Sequence, residues 1–192
     1  MNCLFLGYNS RETRLIKFLK KKNISVKNIK KNLSLKEAKK ADIIISFGYK
    51  KLLKTKVIKA VRRPIINLHM SYLPYNRGAH PNYWSFIDNT PRGVTIHEID
   101  AGIDTGNIII QKKIKLNIIS RKLSTFKKTY NYLLKSLEKL FMDNFKMIIN
   151  NNYKSFKQKG KSTFHKKSQL HKELKKWDTN ILQYKKRSNK IN

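Results

Sequence analysis

Short apolar runs alternate with amphipathic stretches through residues 1–70, and the two periods predict alternating strands and helices. Asn2 to Tyr8 reads as a buried strand, and Arg11 to Lys22 places Leu15, Ile16, Phe18 and Leu19 on one helical face. Ile24 to Ile29 alternates weakly as a second strand, which completes a βαβ unit. Ser34 and Glu37 have capping-box spacing ahead of a short helix. Asp42 to Phe47 is an apolar run of the kind buried in a parallel sheet, and it ends at Gly48. Lys50 to Val61 is predicted as a helix with Leu52, Leu53, Val57 and Ile58 facing inward, before a strand at Ile65 to His69.

Val94 to Ile99 and Ile108 to Ile114 read as neighbouring strands joined by the loop Asp100 to Asn107. A long helix follows, because Leu123, Phe126, Tyr130, Leu133, Leu134, Leu137, Leu140, Phe141, Phe145 and Ile148 recur every three or four residues. The predicted fold class is α/β: a Rossmann-like, doubly wound, mostly parallel sheet with a long C-terminal helix and a basic tail. The expected division is a catalytic domain over 1–150 and a tail or small appendage over 151–192, partly ordered around Leu170, Leu174 and Trp177.

Composition sharpens this picture unevenly. The formal charge is +33, from 44 Lys and Arg against 11 Asp and Glu, and the last 42 residues alone carry +11. Such a charge suits a polyanionic partner. It also suits the drift of an A- and T-rich genome, since Lys, Ile and Asn abound while Ala occurs 5 times. No apolar run is long enough to span a bilayer, the start has no basic region of a secretory signal, and Cys3 is the single cysteine. A disulfide framework and a multi-cysteine zinc site are excluded, and the cytoplasm is the default compartment.

Residues 64–111 escape the drift: they contain no lysine, all four prolines, and His69, His80 and His97. Their local charge is −2, and residues whose chemistry is hard to replace are concentrated there, as in an active site built on loops. Asn67 and His69 leave the same face of a strand at its C-terminal end, where open α/β sheets bind ligands. Taken alone, a histidine at a strand end is more often structural, and Asp104 between Gly102 and Gly106 is more often a turn former.

The motifs Asn67-Leu68-His69, Ser71-Tyr72-Leu73-Pro74, Arg77-Gly78-Ala79-His80-Pro81, Gly93-Val94-Thr95-Ile96 and Ile103-Asp104-Thr105-Gly106 occur in order. This series resembles the formyltransferases that use 10-formyltetrahydrofolate, which act on glycinamide ribonucleotide, methionyl-tRNA or nucleotide amino sugars. The resemblance is dense over 64–111 and follows element order to about residue 150. It implies a catalytic set of Asn67, His69 and Asp104 and no metal. It further implies that the pterin meets Phe47, Gly48, Tyr49, Leu52, Asp100 and Ile103. Arg77 is read as meeting a substrate phosphate or bracing its own loop, His80 as lying near the amine, and His97 as a strand-face residue without a role. Trp84 and Phe86 are read as core, with stacking on a base or sugar as the alternative.

The segment from Leu68 to Thr95, particularly from Ser71 on, looks most like short amino-sugar formyltransferases, so the expected partner is a small amine on a nucleotide sugar, with room for a homodimer. Glycinamide ribonucleotide enzymes have a glycine-rich phosphate loop after the first strand, whereas Leu6-Gly7-Tyr8-Asn9-Ser10-Arg11 has one glycine. The tRNA enzymes carry a further C-terminal domain, and nucleic acid is accordingly disfavoured as a partner. A formyltetrahydrofolate hydrolase and a degenerate basic protein binding RNA or a membrane surface are the other readings.

Overall fold

In the computed structural model, which describes residues 1–188, the first apolar run becomes β1 (Asn2–Gly7) and the last elements are short. After it come α1 (Leu15–Lys21), β2 (Ser25–Ile29), α2 (Leu35–Lys40), β3 (Ile43–Phe47), α3 (Thr55–Ala60) and β4 (Ile66–His69). The chain continues through β5 (Arg77–Gly78), α4 (Pro81–Ile87), β6 (Gly93–Glu98) and β7 (Ile108–Lys113). The remaining elements are α5 (Phe126–Asp143), α6 (Phe145–Ile149), β8 (Phe164–His165) and α7 (Ile181–Ser188). Among the described residues no helix is long and apolar enough to cross a membrane.

Six strands form one sheet in the order β2-β1-β3-β4-β6-β7, and β1–β2, β1–β3 and β3–β4 pair in parallel. The order reverses about β1 and β3, so the carboxyl ends of these strands form the switch point of a doubly wound sheet. Gly48, at φ +65, ends β3 there, and a Cβ on it would lie 2.3 Å from the Tyr8 ring. Glycine is thus required where the two strand ends close on each other. The Tyr8 ring is also packed edge-on to Phe47 at 4.9 Å.

The capping box forms as expected, with the Ser34 hydroxyl accepting from the Glu37 N–H and Glu37 reaching back to the Ser34 N–H. The Lys27 ammonium, followed by the Ser34 hydroxyl, holds the Glu37 carboxyl down at about 2.

Four local expectations are corrected. Helix α1 starts at Leu15 rather than Arg11, because the Asn9 side chain accepts from the Arg11 and Glu12 N–H groups and turns the chain first. Helix α3 starts at Thr55 rather than Lys50, which leaves Leu52 on a loop and 79% exposed instead of facing inward. The single long helix is two, α5 and α6, broken where the Asn144 side chain donates to the Leu140 carbonyl. Pro81 opens α4 inside a stretch read as loop, with His80 at its N-cap in the left-handed region.

The chain divides into two compact units. The first comprises Met1–His69, Ile96–Ile110 and Glu138–Gln158, and its core gathers Leu4, Leu6, Ile29, Ile44, Val57 and Ile65. Tyr49, Leu53 and Ile99 pack against that cluster, so the loops after β3 and β6 share a base. The second comprises Met70–Thr95, Gln111–Leu137 and the described residues from Lys159 onward. Its core is aromatic: Tyr83, Trp84, Phe86, Phe126, Ile181 and Tyr184, with Leu170 and Leu174 packed against them. Trp84 and Phe86 are therefore core residues, 5% and 1% exposed.

Candidate active site

Pairing of Ser46 with Asn67 and of Phe47 with Leu68 sets Asn67 and His69 level with the end of β3. Both side chains leave one face of β4, as the two-residue repeat of a strand requires. β6 lies next to β4 in the sheet and supplies His97; the loop after β6 supplies Asp104. All four residues belong to the first unit.

The Asn67 Nδ2 atom lies 3.0 Å from Asp104 Oδ1 and 3.0 Å from His97 Nε2. His97 Nδ1 is 2.7 Å from the Glu98 carbonyl, which can only accept, so Nδ1 carries a proton, and in the tautomer with its single proton there Nε2 is an acceptor for Asn67. Both N–H groups of the Asn67 amide are then engaged, one by an imidazole and one by a carboxylate. Flipping the amide would set its oxygen against two acceptors, so its orientation is fixed. His69 Nδ1 lies 3.6 Å from Asp104 Oδ2, beyond hydrogen-bond length but within strong electrostatic reach. His97 and His69 side chains are 1% and 8% exposed, and Asp104 13%.

The loop presents Asp104 through its own chemistry. Asp100 Oδ1 accepts from the Gly102 N–H at 3.0 Å and from the Thr105 hydroxyl at 2.5 Å. Gln158 Nε2 donates to the carbonyls of Asp104 and Gly106 at 2.9 and 2.8 Å, which ties the loop from outside. Asp104 sits at φ 54, a left-handed conformation that Asp tolerates better than most residues. Gln158 carried no sequence signal. His97 did, as a histidine in the lysine-free segment, but its strand's neighbour was not readable.

Of the other expected site residues, Phe47, Gly48, Tyr49 and Leu52 lie at the end of β3 and the loop after it, with Asp100 and Ile103 on the loop after β6. Leu52 and Ile103 are large apolar residues 79% and 41% exposed. Arg77 and His80 belong to the second unit, on and just after β5. Desolvation, followed by the charge of Lys167, holds the His80 imidazole below its usual value of 6.5.

An open α/β sheet with an amide, two imidazoles and a carboxylate converging at its carboxyl edge suits acyl-type transfer through an oxyanion. The formyl transferase family model matches residues 7–142, and the chain belongs to that family. Over 78 residues it is 41% identical to the methionyl-tRNA formyltransferase of Lachnospira eligens, covering 40% of this chain and 25% of that protein. Over 72 residues it is 43% identical to the dTDP-4-amino-4,6-dideoxyglucose formyltransferase of Mycobacterium tuberculosis, covering 38% and 30%. Each match thus spans less than a third of the curated relative.

Among solved structures, the formyltransferase PseJ of Anoxybacillus kamchatkensis, in complex with UDP-4,6-dideoxy-4-formamido-L-AltNAc and tetrahydrofolate, superposes with a TM-score of 0.84 at 34% identity. That match covers 95% of this chain and 96% of PseJ. The N-formyltransferase of Helicobacter canadensis, in complex with folinic acid and dTDP-3-aminofucose, superposes with a TM-score of 0.73 at 25% identity, covering 88% and 72%.

Proposed function

We propose that the protein transfers a formyl group from 10-formyltetrahydrofolate to the primary amine of a nucleotide-linked amino sugar. The observation that carries this reading is the convergence of Asn67, His69 and Asp104 at the carboxyl edge of the sheet. The near end-to-end likeness to a sugar formyltransferase directs the choice of acceptor.

The folate co-substrate supplies an activated formyl carbon. Asn67 Nδ2 donates to the oxygen on which negative charge develops, giving up one of its two present acceptors to do so. His69 donates to the same oxygen and gives a proton to the departing folate nitrogen as its bond to the formyl carbon breaks and the bond to the amine nitrogen is retained. Asp104 favours the protonated imidazole through its charge and relays the proton of the attacking amine. The exposed side chains of Leu52 and Ile103 fit a flat ring that would cover them, and backbone of Phe47, Gly48, Tyr49 and Asp100 would flank it. Arg77 and His80 are assigned to the acceptor.

Glycinamide ribonucleotide is a poorer acceptor on physical grounds. A phosphate cradle after β1 needs free backbone N–H groups. Here the Tyr8 N–H donates to the Phe47 carbonyl, Asn9 to Glu12, Arg11 to the Asn9 side chain, Glu12 and Thr13 to the Asn9 carbonyl, and Arg14 to Glu138. Six N–H groups of this stretch are thus already taken, two of them by carboxylates.

Purified protein incubated with 10-formyltetrahydrofolate and UDP- or dTDP-linked amino sugars should yield an N-formyl sugar by mass spectrometry. Glycinamide ribonucleotide and initiator Met-tRNA should yield none. Consumption of the folate with formate as the sole product would instead identify a hydrolase.

A further inference from the structure

Helix α6 ends in a turn that sends the chain back to the loop carrying Asp104. The Asn151 N–H donates to the Ile148 carbonyl at 3.1 Å and the Asn152 N–H to the Met147 carbonyl at 2.9 Å, with Asn151 at φ 55. This pair of bonds closes a helix through one left-handed residue, a conformation that asparagine tolerates. Phe156 then forms an antiparallel bridge with Ile108: the Ile108 N–H donates to the Phe156 carbonyl at 2.8 Å and the Phe156 N–H to the Ile108 carbonyl at 2.9 Å. Ile108 opens β7, so the returning segment is fastened where the loop from Asp100 to Asn107 ends.

Antiparallel register sets the residue two after Phe156 opposite the residue two before Ile108, which brings Gln158 to Gly106. Gln158 Nε2 donates to the carbonyls of Asp104 and Gly106 at 2.9 and 2.8 Å, so both of its N–H groups are engaged. The base of the loop is closed independently, because the Glu98 N–H donates to the Asn107 carbonyl at 2.9 Å and a Cβ on Gly106 would collide with the Glu98 carbonyl oxygen. Asp104, at φ 54, is the strained member between. Holding the carbonyl of Asp104 fixes the peptide group that leaves it, and with that the direction of its Cα–Cβ bond. The carboxylate then lies 3.0 Å from Asn67 Nδ2 and 3.6 Å from His69 Nδ1.

We propose that Gln158 is a positioning residue: by donating to the carbonyls of Asp104 and Gly106 it holds Asp104 in the left-handed conformation that aims its carboxylate at Asn67 and His69. This role rests on the formyl-transfer reading. It puts a determinant of the site beyond residues 7–142, the stretch that the family model matches.

Amide hydrogen exchange across residues 100–107 and single-turnover formyl transfer are measured for wild type, Gln158→Met and Gln158→Glu, with thermal melts as the folding control. Methionine keeps the length of the side chain and removes its donors; glutamate keeps its shape and sets acceptors against both carbonyls. Exchange in the loop should quicken about 5- to 100-fold in both variants, while β1 and β3 keep their wild-type rates. Transfer should slow about 10- to 100-fold. In an Asp104→Asn background, Gln158→Glu should slow the residual transfer by less than about 3-fold, because no carboxylate is left to aim.

Wild-type exchange in the loop of Gln158→Glu would overturn the proposal, and so would a loss of transfer as large in the Asp104→Asn background as in the wild-type one. Full transfer in both single variants overturns it and leaves the functional reading standing. If wild type transfers formyl to no amine, the functional reading falls, and quickened loop exchange in both variants still upholds the hold of Gln158 on Asp104.

Discussion

The amide nitrogen of Asn67 lies 3.0 Å from Nε2 of His97 and donates to Asp104 over 3.0 Å, and the two contacts together orient the amide. His97 is a positioning residue: its ring is 1% exposed and its other nitrogen is spent on the Glu98 carbonyl. His97→Leu removes one of the two contacts that orient the amide and leaves Asp104 alone to hold it. We expect kcat to fall about 10- to 100-fold with little change in KM for the folate, the scale set by small misplacements of catalytic groups. His97→Gln, which restores an acceptor near the Nε2 position, should recover part of the rate. Loss of folate binding and rate together would mark a purely structural role.

Asn67 itself should matter more. Asn67→Ala deletes the oxyanion donor and should lower kcat by about 10²- to 10³-fold. Asn67→Asp should be no better, because it loses the donor and sets a second carboxylate where Nδ2 now lies 3.0 Å from Asp104. Single-turnover kinetics at saturating folate would separate this loss from weakened binding. Near-wild-type chemistry in Asn67→Ala would remove the residue from the mechanism.

Asp104→Asn isolates charge from backbone, since asparagine also tolerates the left-handed φ of 54. The variant should melt close to wild type yet turn over about 10²- to 10⁴-fold more slowly, as for loss of a proton-transfer group. Asp104→Ala should lose similar activity and also melt lower, because alanine at this φ costs about 1 to 2 kcal/mol. Substantial turnover in Asp104→Asn would show that the carboxylate carries no proton.

Periodicity revealed β1, β3 and β4 because buried parallel strands are short apolar runs whichever strands they adjoin. Asn67, His69 and Asp104 are singled out by the resemblance of a motif series to a known family, not by any periodicity. Neither signal could assign His97, because that role depends on β6 lying next to β4, and strand order is a tertiary fact. Gln158 was invisible for a similar reason, since it lies 54 residues from Asp104 along the chain. The helix α4 was hidden by the prolines and glycines around it, and the true start of α3 by Leu52, whose spacing fits an inward face that the folded loop never makes.

The half-buried His80 makes stability pH-dependent. Its folded value lies below the ordinary 6.5, so below that pH the unfolded chain binds more protons than the folded one. The contribution is fully present above 6.5 and is lost as pH falls through the folded value. His80→Asn keeps a residue tolerant of φ 54 and removes the titration. Between about pH 7 and pH 5 the wild-type melting temperature should fall more steeply than that of His80→Asn. Parallel slopes would show that the acid sensitivity arises elsewhere.

Glu138 is a buried carboxylate outside the site. It is 3% exposed, accepts from the Thr13 hydroxyl at 2.7 Å and the Arg14 N–H at 3.0 Å, and meets Arg14 Nε at 2.8 Å. It therefore satisfies the start of α1 and fixes the loop that runs from Tyr8 beside Gly48. Glu138→Ala strands the Thr13 and Arg14 donors. It should cost about 1 to 3 kcal/mol and lower the melting temperature by roughly 3 to 9 °C. Glu138→Gln keeps one acceptor oxygen and should lose less. The ordering of the two variants is the informative result: if Glu138→Ala were as stable as wild type, water would be satisfying those donors, and the rigidity of the β1–α1 loop would need another source.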